Sequence, residues 1–299
     1  MSSCRSSCRR SPRGEGGAMS RLSVRKTYKL YIGGAFPRSE SGRSYPVTSP
    51  KGEFLANASW ASRKDVRDAV VAARKAFPGW SGATPYNRGQ VVYRVAEMLE
   101  GRRGQFAEEL GGGKRAALEQ VDATVDRLVW YAGWSDKIAA VRGTANPVAG
   151  PYFNLSSPEP TGVVAVVAPA DPLLGLVSVV APVIVTGNTC VVVASEPSPL
   201  ASITLAEVLA TSDLPGGVVN VLTGRQAELA PWLAAHMDVN GIDLTGVGDA
   251  DLAVRCEQEA AENLKRVLRP SPEDWAAEPG TGRMTRFLET KTVWHPVGV

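Results

Sequence analysis

The sequence predicts an α/β protein built on a parallel β-sheet, and three observations carry that expectation. Short apolar runs alternate with apolar helical stretches between residues 159 and 246. The links between them are short and hold Gly, Pro, Asn or Asp, the residues that punctuate strands and helices. The runs Val163–Val167 and Cys190–Val193 show no polar alternation, as expected of strands buried on both faces. Strand–helix–strand links this short imply parallel neighbours and right-handed crossovers.

The elements follow in order. Tyr28–Gly34 alternates apolar residues and then places two glycines together, the pattern of a strand and a tight hairpin. Val66, Ala69, Val70 and Ala73 share one face of a helix spanning Asp65 to Ala76, with Ser62 as its N-cap. Arg88–Leu99, Gln105–Leu110 and Val121–Ile138 continue the helical half. Residues 143–160 are rich in turn formers, with a hairpin expected around Tyr152–Leu155. The parallel core then runs as strand Val163–Val167, helix Pro172–Val185, strand Cys190–Val193, helix Leu200–Leu209, strand Val218–Leu222, helix Gln226–His236 and strand Gly241–Leu244. Pro182 predicts a kink or an early stop in the first of these helices. Asp249–Val267 reads as a polar helix, 270–282 as a Pro, Glu and Gly-rich linker, and Met284–Val293 as one final strand.

Composition bounds the function. A chain of 299 residues with 44% hydrophobic and 21% charged residues fits a soluble protein with a sizeable core. The longest apolar stretch, Gly162–Val185, is broken by Pro169, Asp171, Pro172 and Pro182, so no membrane span is expected. The formal charge of +3 belongs to the first 18 residues, where Arg5, Arg9, Arg10 and Arg13 face Glu15 alone. The remainder is neutral and suggests no nucleic-acid footprint. Residues 1–26 form a basic, Ser- and Gly-rich leader expected to be disordered. It fits an organelle transit peptide or, preferably, an extension upstream of a start at Met19. Cys4, Cys8, Cys190 and Cys256 are too sparse for a disulfide framework, so a reducing cytoplasm is the expected setting. Cys4 and Cys8 have a ligand-like spacing, but His236 and His295 are distant and no metal site is expected.

Several segments, in this order, resemble the aldehyde dehydrogenase superfamily. They are Leu30–Gly34, Trp130–Trp134, Glu159–Val164, Ala181–Pro182 with Thr186–Asn188, Leu214–Gly224 and Leu244–Gly246. The resemblance runs from about Tyr28 to Val267 and resumes in the tail. It implies a Rossmann-like cofactor domain, a catalytic domain inserted after it, and a small bridging sheet used for oligomerisation. The organisation it implies here is a leader at 1–26, a cofactor-binding domain at 27–268, a linker at 269–283 and an oligomerisation-type strand at 284–299.

The family's chemistry needs a cysteine nucleophile, an oxyanion donor, a general base and a bound NAD or NADP. Measured against the family's pattern, the nucleophile is not found, since Cys256 lies only ten residues beyond Gly246 and Cys190 sits within a strand. The general base is not found after Asn263–Val267, and Glu109–Gly112 reads instead as a helix end stopped by glycines. The oxyanion turn is shortened to Pro169-Ala170-Asp171-Pro172, and Asp171 occupies the degraded donor position as an acceptor. By resemblance, Pro169, Ala170, Glu196, Thr245 and Gly246 line the cofactor site. The family's ribose-binding lysine maps to Val193, while Glu196 is kept; it serves either the ribose or a cap. Gly246–Asp251 replaces the family's pyrophosphate turn and brings in Asp249 and Asp251.

Only about twenty residues separate Val267 from Phe287, where the family's catalytic domain would stand. The expected function is that of a catalytically degenerate family member with weak or lost dinucleotide binding. It would act as a structural or regulatory subunit with an intact aldehyde dehydrogenase or a second copy of itself. The alternatives are a working NAD(P)-dependent oxidoreductase of aldehydes and a nucleotide-sensing module.

Overall fold

The computed structural model describes residues 26–298. The leader up to residue 25, with Cys4, Cys8 and Met19, lies outside the described residues, as does Val299. In chain order the elements are β1 (Ser44–Thr48), β2 (Phe54–Ser59), α1 (Arg63–Gly82), α2 (Pro85–Glu100), α3 (Arg103–Leu110), α4 (Lys114–Trp134), α5 (Ile138–Arg142), β3 (Thr144–Asn146), β4 (Tyr152–Pro160) and β5 (Val163–Val167). They continue as α6 (Leu174–Val185), β6 (Thr189–Val193), α7 (Leu200–Leu209), β7 (Val219–Leu222), α8 (Gln226–Ala234), β8 (Gly241–Asp243), α9 (Ala250–Ala261), β9 (Arg266–Leu268), α10 (Gly282–Arg286) and β10 (Leu288–Pro296).

The central sheet has five parallel strands in the order β7-β6-β5-β8-β9. Every residue of β5, β6, β7 and β8 is buried, which is why these strands read as unbroken apolar runs. Val164, Val166, Cys190, Val192, Val219 and Val221 face α6 and α7, which are backed by α2 and α4. Val163, Ala165, Val167, Val191 and Val193 face α1, α8 and α9. Helix α6 is buried along its whole length, so it carries no polar face for solvent.

Local chemistry accounts for the boundaries. Ser62 and Asp65 form a reciprocal capping box, with Asp65 N donating to Ser62 Oγ at 3.3 Å and Ser62 N donating to Asp65 Oδ2 at 2.7 Å. Helix α3 ends at Leu110 and passes into Gly111 at φ +67°, so the Glu109–Gly112 run is a helix C-terminus as expected. Gly33 and Gly34 adopt φ of +61° and +86° and bring Ile32 and Ala35 together as a tight hairpin. The strand expected before that hairpin is instead a set of isolated bridges: Tyr28 to Ala58, and Tyr31 antiparallel to Val221 at the β7 edge.

Other expectations need correction. The β1–β2 hairpin, turned at Gly52 with φ +81°, was not foreseen. Helix α6 begins at Leu174 and leaves Pro172 outside its first turn, and Pro182 does not end it. The polar helix expected to reach Val267 stops at Ala261; Leu264 turns the chain at φ +57°, and Arg266–Leu268 becomes the edge strand β9. The tail is not one strand from Met284. Residues 282–286 form α10, which buries Met284, and β10 begins at Leu288.

The tail strand and the expected hairpin pair with each other in a separate antiparallel sheet of order β10-β4-β3. The entry to β10 is fixed by Phe287, whose ring lies so close to Gly241 that a Cβ there would meet it at 2.6 Å.

Gly89 of α2 packs against α4 so closely that a Cβ would stand 2.8 Å from the Ala132 carbonyl oxygen and 2.3 Å from Ser135 Oγ. Helix propensity alone favours Ala over Gly by about 1 kcal/mol, yet Gly89→Ala is expected to destabilise the fold by about 1–3 kcal/mol through overpacking. Denaturant unfolding of the two proteins checks the sign.

Candidate active-site crevice

Strand β5 is followed by β6 on one side, while β8 pairs on the other. The chain therefore reverses its winding between β5 and β8, and the crevice at their C-terminal ends is where open α/β sheets place ligands. Loops 168–173, 194–199, 223–225 and 244–249 surround it.

The crevice floor is backbone against backbone. Gly246 N donates to the Val167 carbonyl at 3.1 Å, and a Cβ on Gly246 would lie 2.0 Å from the Ala168 carbonyl oxygen. Only glycine fits there. The Ala168 carbonyl also accepts from Gln226 Nε2 at 3.3 Å. Pro169 is buried and packs toward Gly175, whereas Ala170 is exposed.

Three helices point their N-termini at this edge, and each already holds a carboxylate. Asp171 Oδ1 accepts from Leu173 N at 3.2 Å and Gly175 N at 2.7 Å at the start of α6, while its Oδ2 accepts from Gln120 Nε2 at 2.7 Å. Glu196 Oε2 accepts from Gln226 N at 3.2 Å at the start of α8. Asp249 Oδ1 accepts from Asp251 N at 2.9 Å and Leu252 N at 3.4 Å at the start of α9. Asp171 and Glu196 thus each accept from amides at a helix start. Val193 is fully buried and offers no cation beside Glu196.

Behind Thr245 stands a buried ion pair absent from the sequence reading. Asp243, 1% exposed at the end of β8, accepts from the amide and hydroxyl of Thr245. Its other oxygen accepts from Arg283 at 2.9 Å. Arg283 also donates to Thr245 Oγ1 at 3.2 Å and Glu273 at 2.6 Å, and lies over the Trp275 ring at 5.3 Å. From the other wall, Arg127 of α4 donates to Ser178 of α6 at 2.7 Å and to the carbonyls of Trp275 and Ala277 at 2.7 and 2.9 Å. The expected linker is therefore packed down over α4 and α6, and lines an open cavity of about 630 Å³. No periodicity marks Arg283 or Arg127; the one local signal was the acid in Asp243-Leu-Thr-Gly.

Six residues picked from the sequence, Pro169, Ala170, Asp171, Glu196, Thr245 and Gly246, do gather around this edge. Amides at the starts of α6, α8 and α9, the kind of group a pyrophosphate uses, donate here to Asp171, Glu196 and Asp249. The two thiols among the described residues do not serve either. Cys190 and Cys256 are both buried. Burial raises the Cys190 thiol far above its ordinary range and pushes Cys256 up to about 11, so neither offers a thiolate at neutral pH. Among the described residues no cluster of three or more His, Cys, Asp or Glu is arranged to hold a metal. No helix among them is long and apolar enough to cross a membrane.

Sheet order, crevice and the separate antiparallel sheet define a class, and comparison with known proteins supplies its name. Residues 36–269 match the model of the aldehyde dehydrogenase family, and the chain belongs to that family. It is 33% identical over 249 residues to cytosolic aldehyde dehydrogenase 1 of Elephantulus edwardii, covering 80% of this chain and 49% of that protein. It is 34% identical over 254 residues to retinal dehydrogenase 2 of Mus musculus, covering 81% of this chain and 48% of the relative. The NAD+ complex of aldehyde dehydrogenase from Bacillus cereus superposes with a TM-score of 0.76 at 29% identity, covering 81% of this chain and 50% of that one. The chain spans about half the length of the curated relatives it matches.

Burial raises the Asp243 carboxyl above the ordinary carboxylate range, opposed by the Arg283 guanidinium and the Thr245 donors. A carboxyl raised in the folded state contributes stability at low pH and loses it as pH rises from the unfolded value through the folded one. Arg283→Met strips the buried carboxylate of its counter-charge and is expected to cost about 3 kcal/mol or more near neutral pH. The same change raises the folded-state value further, so the deficit is smallest at about pH 4 and grows toward about pH 8. Melting curves across that range check it; an equal deficit throughout would mean that Arg283 acts through packing alone.

Proposed function

We propose that this chain is a catalytically degenerate aldehyde dehydrogenase homologue acting as a structural or regulatory subunit. Its partner is an intact aldehyde dehydrogenase subunit or a second copy of this chain. The observation that carries the reading is the open face of the β10-β4-β3 sheet. Leu155 stands opposite Val293, and Phe153, two residues along β4, shares their face. All three are exposed, Phe153 by 64%. An apolar sheet face of this kind is matched by a partner surface. The outer edge of β10, nine residues long, is unpaired among the described residues and suits strand addition.

Loss of catalysis is supported by the buried thiols and by Asp171 at the oxyanion position, where an acceptor replaces a donor. NAD or NADP is the family's cofactor, and the carboxylate-filled helix ends support weak or absent binding of either. Two free, buried cysteines fit a reducing cytoplasm.

Two measurements test this. Co-expressed with an intact aldehyde dehydrogenase, the chain is expected to co-migrate with it on size exclusion, or to elute alone as a dimer or larger. Elution as a monomer under both conditions sinks the subunit reading. Incubated with NAD and a panel of aldehydes, the purified chain is expected to produce no NADH; turnover would restore the oxidoreductase reading.

A further inference from the structure

We infer that the cavity under segment 270–286 binds a small organic monocarboxylate, held by Arg127 and Tyr131 of α4. The inference goes beyond the subunit proposal and does not depend on it, since the two concern different surfaces.

A guanidinium keeps its charge at any ordinary pH, and a charge taken out of water needs a counter-charge. Arg127 is only 8% exposed, yet among the described residues no carboxylate pairs with it. Its acceptors are all neutral: the Ser178 hydroxyl and the carbonyls of Trp275 and Ala277. Two other arginines show how this chain otherwise meets such a charge. Arg283, on the same wall, is matched by Asp243 and Glu273. Arg88, as buried as Arg127, donates to Val185 at the end of α6 and to Ser81 and Ala83 at the end of α1. Helix dipoles present their negative ends there. The carbonyls facing Arg127 belong to an irregular segment and sum to no such dipole.

Tyr131 stands four residues further along α4, on the same face, and lines the same cavity. It is 1% exposed, and its hydroxyl makes no hydrogen bond among the described residues. Burial pushes that hydroxyl up to about 12, against the pull of Arg127 and Arg283, so it keeps its proton at neutral pH and serves as a donor. An unmatched cation beside an unclaimed O–H is a pair that one carboxylate satisfies, with a charge-assisted bond to each. The cavity, at about 630 Å³, is large enough for a small molecule, and Leu268 and Trp275 offer its body an apolar wall. A single carboxylate matches the single unpaired buried charge. Phosphate would bring a second charge past Asp274 and Glu278, which stand exposed at the rim.

The full chain is titrated calorimetrically with benzoate, with its uncharged analogue benzamide and with inorganic phosphate. Benzoate is expected to saturate with a Kd on the order of 1 mM or tighter. Benzamide and phosphate are expected to bind at least about tenfold more weakly. Two variants place the site. Tyr131→Phe removes a hydroxyl with no partner in the protein, so the melting temperature of the free protein is expected to stay unchanged while benzoate affinity falls about tenfold. Arg127→Lys keeps a charge but loses the planar geometry, and is expected to weaken benzoate by about tenfold or more. If Arg127→Lys fails to fold by circular dichroism, Tyr131→Phe decides. The inference is overturned if benzoate does not saturate, or if benzamide or phosphate binds as tightly as benzoate. Benzoate affinity unchanged in the folded variants overturns it as well.

Discussion

The carboxylate of Asp243 is buried at the end of a strand in the sheet interior, and the C-terminal part of the fold is arranged around satisfying it. An ionised carboxylate there needs both hydrogen bonds and a counter-charge. Thr245 supplies the hydrogen bonds from two residues away, and Arg283 supplies the charge from forty residues away. Reaching Asp243 obliges segment 273–283 to lie against the body of the protein, where Arg127 fastens it from α4 by its carbonyls. Once Arg283 is placed, Phe287 follows onto Gly241, and its carbonyl accepts from Asn188 at 2.9 Å and from Thr161 at 3.2 Å. That anchors Leu288 opposite Pro160 and so sets the register of β10 along all of β4.

The parts of the fold legible in the sequence are those decided by neighbours in the chain. The bounds of β5 and α7 coincide with the apolar runs that announced them. Ser62 caps α1 because the cap and its target amide are three residues apart. The failures share a different cause. The β1–β2 hairpin holds Pro46 and alternates poorly, and it is fixed by pairing and a glycine turn rather than by composition. Residues 262–267 look helical in isolation, but Leu264 in the left-handed region and the free edge of β8 make them an edge strand. Residues 282–286 are helical, and with Phe287 just past the helix both Met284 and Phe287 reach the core. In the crevice, the residue types were legible and their partners were not. Asp171, Glu196 and Asp249 could be read as acids near a ligand position; that each faces a helix end depends on where three helices start.

Fold and chemistry separate cleanly along this chain. The family frame is held by backbone contacts, above all Gly246 against the Ala168 carbonyl and the paired amides of β5 and β8. Such contacts are indifferent to the side chains on the surrounding turns, so Asp171 or Val193 can change the chemistry at the crevice without disturbing the strands beneath. The linker illustrates the reverse. Its composition suggested a free connection, yet Trp275, Arg283 and the carbonyls held by Arg127 make it a wall of the folded body.

The isolated bridge between Tyr31 and Val221 has a bearing on how this molecule behaves in a crowd. Tyr31 exchanges both of its backbone bonds with β7, at 2.9 and 2.7 Å, and so covers the outer rim of the five-stranded sheet. The opposite rim, β9, is only three residues long. The large sheet is therefore sealed at one margin and curtailed at the other, a poor template for a foreign strand. By contrast β10 runs nine residues with one margin bare. Among the described residues β10 is the longest strand left with such a margin, and growth by main-chain pairing, whether into an ordered assembly or a disordered aggregate, is favoured there.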